Sequence, residues 1–157
     1  MPSIPEAVYR CVEHRLRTRY TAVAKAEAAL YRAQQRAYCV SAPATDKTGG
    51  SRGGGQESRV EKAALAVLRA EGRLETARAW EEQMRLMDRI FHRDTPEGKA
   101  VDLVYNRGYD RKSAARIMQC AGKTLARRLD AYVCHLALIA AGAGLIDIKG
   151  EAKHGDR

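Results

Sequence analysis

The sequence predicts an all-α protein, a long helical hairpin followed by a compact helix-turn-helix. Three observations lead there. Apolar residues recur at steps of three and four along residues 8–37 and again along 60–91, the period of one helix face. A glycine-rich run at 41–57 separates the two stretches. Last, Arg107–Leu129 holds two short helical patterns around the tight sequence Gln119-Cys120-Ala121-Gly122.

The first helix spans residues 1–40 as a block, with its helical pattern running from about Ile4 to Val40. Its apolar face is Val8, Val12, Leu16, Tyr20, Val23, Ala26, Leu30, Ala33 and Ala37. Ser3 and Glu6 stand at capping-box spacing and Pro5 suits a first turn. At 1.5 Å per residue the helix is about 50 Å long.

Residues 41–57, SAPATDKTGGSRGGGQE, read as a flexible linker, because glycine and small polar residues cannot form a packed element. A phosphate-binding loop would end in Gly-Lys-Ser/Thr after a strand; this run ends Gly55-Gln56-Glu57. Arg52, among the glycines, is a candidate contact to a nucleic-acid backbone.

The second helix, 58–93, is expected to start at a Ser58/Glu61 capping box. Val60, Ala63, Val67, Ala70, Leu74 and Ala77 then make a heptad seam. The seam weakens at Glu81 and Asp88, while Trp80, Met84, Met87 and Phe91 continue the stripe. Such a seam either closes the hairpin on the first helix or joins subunits, so a homo-oligomer is expected, with a dimer favoured.

A third helix opens at Asp94-Thr95-Pro96-Glu97, with Thr95 as N-cap and Pro96 in the first turn. Val101, Leu103, Val104 and Tyr105 give it an apolar side. Asn106-Arg107-Gly108 ends it, Gly108 being free to take the left-handed conformation.

The chain of 157 residues has a formal charge of +9 and a pI of about 9.7, a balance that fits a polyanionic partner. Residues 107–128 carry seven cations against one anion, Asp110, so the positive density peaks at the helix-turn-helix. Four cysteines lack CxxC pairing, and no apolar window resembles a signal core or a membrane span. A reduced, cytoplasmic protein with no membrane partner is expected. Cys11-x-x-His14 and Cys134-His135 lack a second pair at zinc spacing, so no metal and no cofactor are expected. No nucleophile with a base and no paired carboxylates stand out, which argues against an enzyme.

In the helix-turn-helix, Asp110 is placed to cap a helix reaching about Gln119. Ala115 supplies the small residue where two crossed helices meet, and Ala114, Ile117 and Met118 face inward. Gln119 occupies a turn position that usually favours glycine, and Ala121 lacks the hydroxyl of a normal N-cap. Leu125, Leu129, Tyr132, Val133 and Leu136 share the buried face of the second helix. Lys123 and Arg127 point nearly opposite and are the candidate readers of guanine O6 and N7. Thr124 and Arg128 lie on a flank, suited to phosphate or a neighbouring acid. Arg111, Lys112 and Arg116 on the preceding helix suit phosphate contacts that set register, as does Arg107 in the connecting turn. Leu136–Ile146 closes this small domain, 94–146, and the charged tail 147–157 follows.

Thr95–Ile146 resembles region 4 of sigma factors. The likeness rests on Leu103-Val104-Tyr105, Gly108, Ser113-Ala114-Ala115-Arg116-Ile117, the turn, and Thr124-Leu125-Ala126-Arg127-Arg128-Leu129. With the helical N-terminal segment, the GGSRGGG loop and the closing Ala-Gly-Leu-Ile, the whole is similar to the phage RinA family of late-gene transcriptional regulators. That resemblance implies a phage-encoded protein of the bacterial host cytoplasm. It implies binding to double-stranded promoter DNA and activation of packaging and morphogenesis genes with host RNA polymerase. The alternative is a phage small terminase subunit recognising packaging-site DNA, whose hairpins build rings; a dimer favours the regulator. A protein-binding helical module with an incidental basic domain is the remaining class.

Overall fold

The structure, a computed structural model, describes residues 4–41 and 54–147, with the side chains of 41 and 54–58 excepted. Ser3, Arg52 and the tail from residue 148 therefore lie outside the described residues. Every regular element among the described residues is helical. In order these are α1 (Glu6–Ser41), α2 (Gly54–Ile90), α3 (Pro96–Val101), a π-helical turn (Asp102–Asn106), α4 (Arg111–Ile117) and α5 (Gly122–Gly142). None is long and apolar enough to cross a membrane.

The chain forms two compact units. The first, formed by the described residues within 1–19 and 79–157, joins the start of α1 and the end of α2 to α3, the π turn, α4 and α5. Its core takes Val8, Val12 and Leu16 from α1, at steps of four, and Trp80, Met84 and Met87 from α2. Val101, Leu103, Val104 and Tyr105 enter from α3 and the π turn. Leu125, Leu129, Tyr132, Val133 and Leu136 of α5, all at most 1% exposed, sit at its centre. Each such side chain contributes about 1.5–3 kcal/mol by leaving water. The Arg15 guanidinium stacks 5.7 Å from the centre of the Trp80 ring.

Within this unit Arg19 is paired with Asp88, and the Arg19 side chain is only 9% exposed. At about 100° per residue, Arg19 lies in line with Val12, whereas Tyr20 is a quarter-turn away. The expectation that Tyr20 continues the apolar face is thus corrected: it is 64% exposed. Asp88, which weakened the seam in sequence, is the acid that meets Arg19.

The second unit, Tyr20–Arg78, holds the remainder of α1 and α2. Ala70, Leu74 and Ala77 are buried in it, facing the half-buried stripe Val23, Ala26, Leu30, Ala33 and Ala37. Alanines on both sides permit close helix approach. Arg78 and Glu27 add an ion pair at 3.1 Å. The seam is therefore occupied inside the chain over this stretch. Val60, its expected first member, is 43% exposed.

The start of α2 also differs from expectation. It begins at Gly54, so Ser58 lies inside the helix and is not its N-cap. Adding a turn to an existing helix costs far less than nucleating one, and the preceding glycines follow despite their entropy. The helix ends at Ile90, short of the expected residue 93, and the chain turns towards α3.

That turn is tightly made. The backbone carbonyl of His92 accepts from the Thr95 N–H at 2.8 Å and from its hydroxyl at 2.7 Å. Thr95 then caps α3, its Oγ1 accepting from the Gly98 N–H at 3.1 Å, with Pro96 in the first turn as expected. Gly98 sits against the turn so closely that a Cβ there would lie 2.3 Å from the His92 carbonyl oxygen. The π turn was not expected. It is closed by the Arg107 N–H donating to the Asp102 carbonyl, five residues back, at 2.9 Å. The wider turn lets three successive residues, Leu103, Val104 and Tyr105, all be buried.

Candidate nucleic-acid interface

Gly108, with φ of 71°, ends the π segment in the left-handed conformation and releases the chain into α4. Asp110 caps α4 as its position in sequence suggested. Its Oδ1 accepts from the Lys112 and Ser113 N–H groups, each at 2.9 Å, and its Oδ2 from the Ser113 hydroxyl at 2.7 Å. These bonds from Ser113 and Lys112 favour the ionised form and hold the Asp110 carboxyl below the usual aspartate range.

The cap fixes the first turn of α4, and with it Arg111 and Lys112; Arg116 follows one turn on. All three are exposed. They line an open depression of about 610 Å³ with Ala115, Gln119, Cys120 and Gly122. Lys112 and Arg116 make no ion pair with a described residue, so their charge is free for a ligand.

The turn from α4 to α5 requires an unusual backbone. Gln119 has φ of 49°, the one left-handed residue other than glycine among the described residues. Its N–H donates to the Arg116 carbonyl at 3.0 Å, and the Cys120 N–H donates to the Ala115 carbonyl at 3.0 Å. Ala115 and Ala114 are buried where α4 meets α5. Ile117 is the exception to the inward set: it is 46% exposed, because α4 ends there and the turn directs Met118 into the core instead.

Ala121 begins α5 without a side-chain cap, as its missing hydroxyl dictates. The first N–H groups of α5 therefore have no side-chain acceptor, and Gly122 borders the basic depression. Lys123, Thr124 and Arg127 are exposed on the side of α5 away from its buried leucines, and Arg128 is half-buried. Thus α4 supplies one group of cations to the depression and α5 a second group beyond it. Asp130, on the next turn after Arg127, ends the positive face.

Two cations are held from within the unit. Arg107 Nε donates to Asp102 Oδ2 at 2.7 Å. Burial works against the Asp102 charge, but hydrogen bonds from Asn106 and Arg107 outweigh it and keep the carboxyl low. Arg111 reaches Glu13 Oε1 on α1 at 3.2 Å.

Glu13 belongs to a network that sequence reasoning missed. Its Oε1 also accepts from the Tyr105 hydroxyl at 2.9 Å and lies 3.4 Å from Arg17. One turn away, the Tyr9 hydroxyl donates to Asp130 on α5 at 2.8 Å. Burial first, then the hydrogen bond to Asp130, pushes the Tyr9 phenol up to about 12. Burial and Glu13 raise Tyr105 as well. The i, i+4 spacing of Tyr9 and Glu13 was visible, but nothing in the sequence ties them to partners about a hundred residues away.

No protein-family model, curated protein or solved structure matches this chain.

Proposed function

We propose that the chain is a sequence-specific DNA-binding protein that works as a transcriptional regulator, with α5 as its reading helix. One observation carries the reading. Lys112, Arg116, Lys123 and Arg127 are exposed and unpaired among the described residues around a single tight turn, on a scaffold whose opposite side is buried. Cations in that arrangement match a duplex, whose phosphates supply affinity and whose base edges supply discrimination. The uncapped N-terminus of α5 favours a phosphate beside Gly122, where Arg111, Lys112 and Arg116 converge. Lys123 and Arg127, one turn apart, reach a major-groove edge when that phosphate is seated.

The sequence resemblance to sigma region 4 and to RinA-type regulators extends the proposal. The DNA is then a phage late promoter, and host RNA polymerase is the protein that responds. Homo-oligomerisation supplies two such helices for two half-sites.

Selection of preferred duplexes from a random pool, followed by binding titrations at several salt concentrations, tests the proposal. Arg127→Ala should reduce preference for the selected site by about 1–3 kcal/mol, and Lys112→Ala should weaken all duplexes alike and flatten the salt slope by about one unit. Recovery of no preferred sequence, or equal loss on selected and random DNA for Arg127→Ala, rejects base reading by α5.

A further inference from the structure

Glu13 Oε1 gathers two guanidinium groups from different helices. Arg17, one turn later on α1, places a nitrogen 3.4 Å from that oxygen, and Arg111 of α4 places one at 3.2 Å. Both distances run to one atom, so the two nitrogens lie within about two hydrogen-bond lengths of each other. The Arg17 guanidinium also sits over the Tyr105 ring, 5.5 Å from its centre, and the Tyr105 hydroxyl donates to the same Glu13 oxygen at 2.9 Å. Tyr105 is buried, so the ring is a fixed base under Arg17. The Glu13 side chain is 20% exposed, whereas those of Arg17 and Arg111 are 58% and 55% exposed. One anion beneath two cations leaves an uncancelled positive charge towards solvent. The pairs Arg10–Glu6 and Arg85–Glu81 instead cancel one for one. The other acid nearby, Asp130, accepts from the Tyr9 hydroxyl. At about 100° per residue, Tyr9 lies on the opposite flank of Glu13 from Arg17.

We infer that Arg17 and Arg111 together seat one backbone phosphate of a DNA duplex, so that the DNA footprint extends from α4 onto the start of α1. The inference rests on the duplex reading of the basic face. Continuity of the surface is the reason to choose that ligand: Arg111 also lines the basic depression with Lys112 and Arg116, and thus stands between that depression and Arg17. A phosphodiester has two free oxygens, and one guanidinium serves each of them. Arginines already held by Glu13 and Tyr105 lose little freedom on binding, which favours the bound state. Such a contact carries no sequence information. It fixes the angle at which the reading helix enters the groove, because α1 lies outside the helix-turn-helix.

The test is fluorescence anisotropy of the full chain with labelled duplexes of random sequence at several salt concentrations, with folding of each variant followed by circular dichroism. Arg17→Ala should weaken binding and flatten the salt slope by about one unit. Arg85→Ala removes the same charge from the same kind of i, i+4 pair on α2, and should leave the slope at its wild-type value. In an Arg111→Ala background, Arg17→Ala should cost less than it does in the wild type, since half of the seat is already gone. Equal effects of Arg17→Ala and Arg85→Ala overturn the inference, because net charge alone then explains them. Equal costs of Arg17→Ala in the two backgrounds overturn it as well, because the arginines then share no phosphate. Lys112→Ala separates this inference from the reading beneath it. If Lys112→Ala weakens binding and Arg17→Ala does not, the α4 interface stands and its extension to α1 falls; if the wild type binds no duplex, both fall.

Discussion

Arg111 on α4 and Glu13 on α1, 98 residues apart in sequence, meet at 3.2 Å. Glu13 Oε1 simultaneously accepts from the Tyr105 hydroxyl at 2.9 Å. One carboxylate thereby ties the first helix to the π turn and to the basic α4. Glu13→Ala leaves the half-buried Tyr105 hydroxyl without this partner and should destabilise the fold by about 1–3 kcal/mol. Thermal melting of Glu13→Ala, Tyr105→Phe and the double variant checks it. Additive losses would show that the two residues do not act together.

Gly98→Ala should be costly for a side chain of one carbon. Its Cβ would stand 2.3 Å from the His92 carbonyl oxygen and 2.7 Å from that of Phe91, both backbone atoms. Forcing the turn apart should cost about 1–3 kcal/mol, as overpacking does elsewhere. A variant that melts with the wild type would show that the turn yields freely.

Gln119→Gly should have the opposite sign. The left-handed backbone at φ of 49° strains a side-chain-bearing residue, whereas glycine adopts it readily. After the extra entropy glycine has in the unfolded chain, a net gain of about 0.5–1 kcal/mol is expected. Denaturant unfolding measures it, and a loss of stability would mean the Gln119 side chain makes a compensating contact.

Stability should be flat with pH through neutrality and fall in strong alkali. The Tyr9 phenol is raised from 10.0 to about 12 in the folded chain, and Tyr105 is raised in the same direction. The folded state therefore favours the protonated phenols. That contribution is complete below pH 10 and is lost as pH rises towards 12. Melting temperature measured across this range should fall less steeply for Tyr9→Phe than for the wild type. Parallel curves would remove Tyr9 as a source of the decline.

Local chemistry made much of this protein readable in its sequence. The apolar periods of α1 and α2, the Thr95 and Asp110 caps, the Gly108 turn and the buried face of α5 each depend on residues within a few positions of one another. The exposure of Lys123 and Arg127 followed from the same helical period. Even the awkward residues Gln119 and Ala121 were recognisable, and they correspond to a left-handed backbone and an uncapped helix. What only the tertiary structure decided were matters of distance. Period alone placed Tyr20 on the buried face; the Arg19–Asp88 pair occupies that line and Tyr20 is exposed. The π turn arises because three consecutive apolar residues must all reach one core. Glu13, Tyr9 and Asp130 become partners of the basic face only when α1 packs beside α4 and α5. Helical period and capping are set by neighbours along the chain, whereas the partner of an ion pair or of an apolar stripe is set by which helix packs beside it.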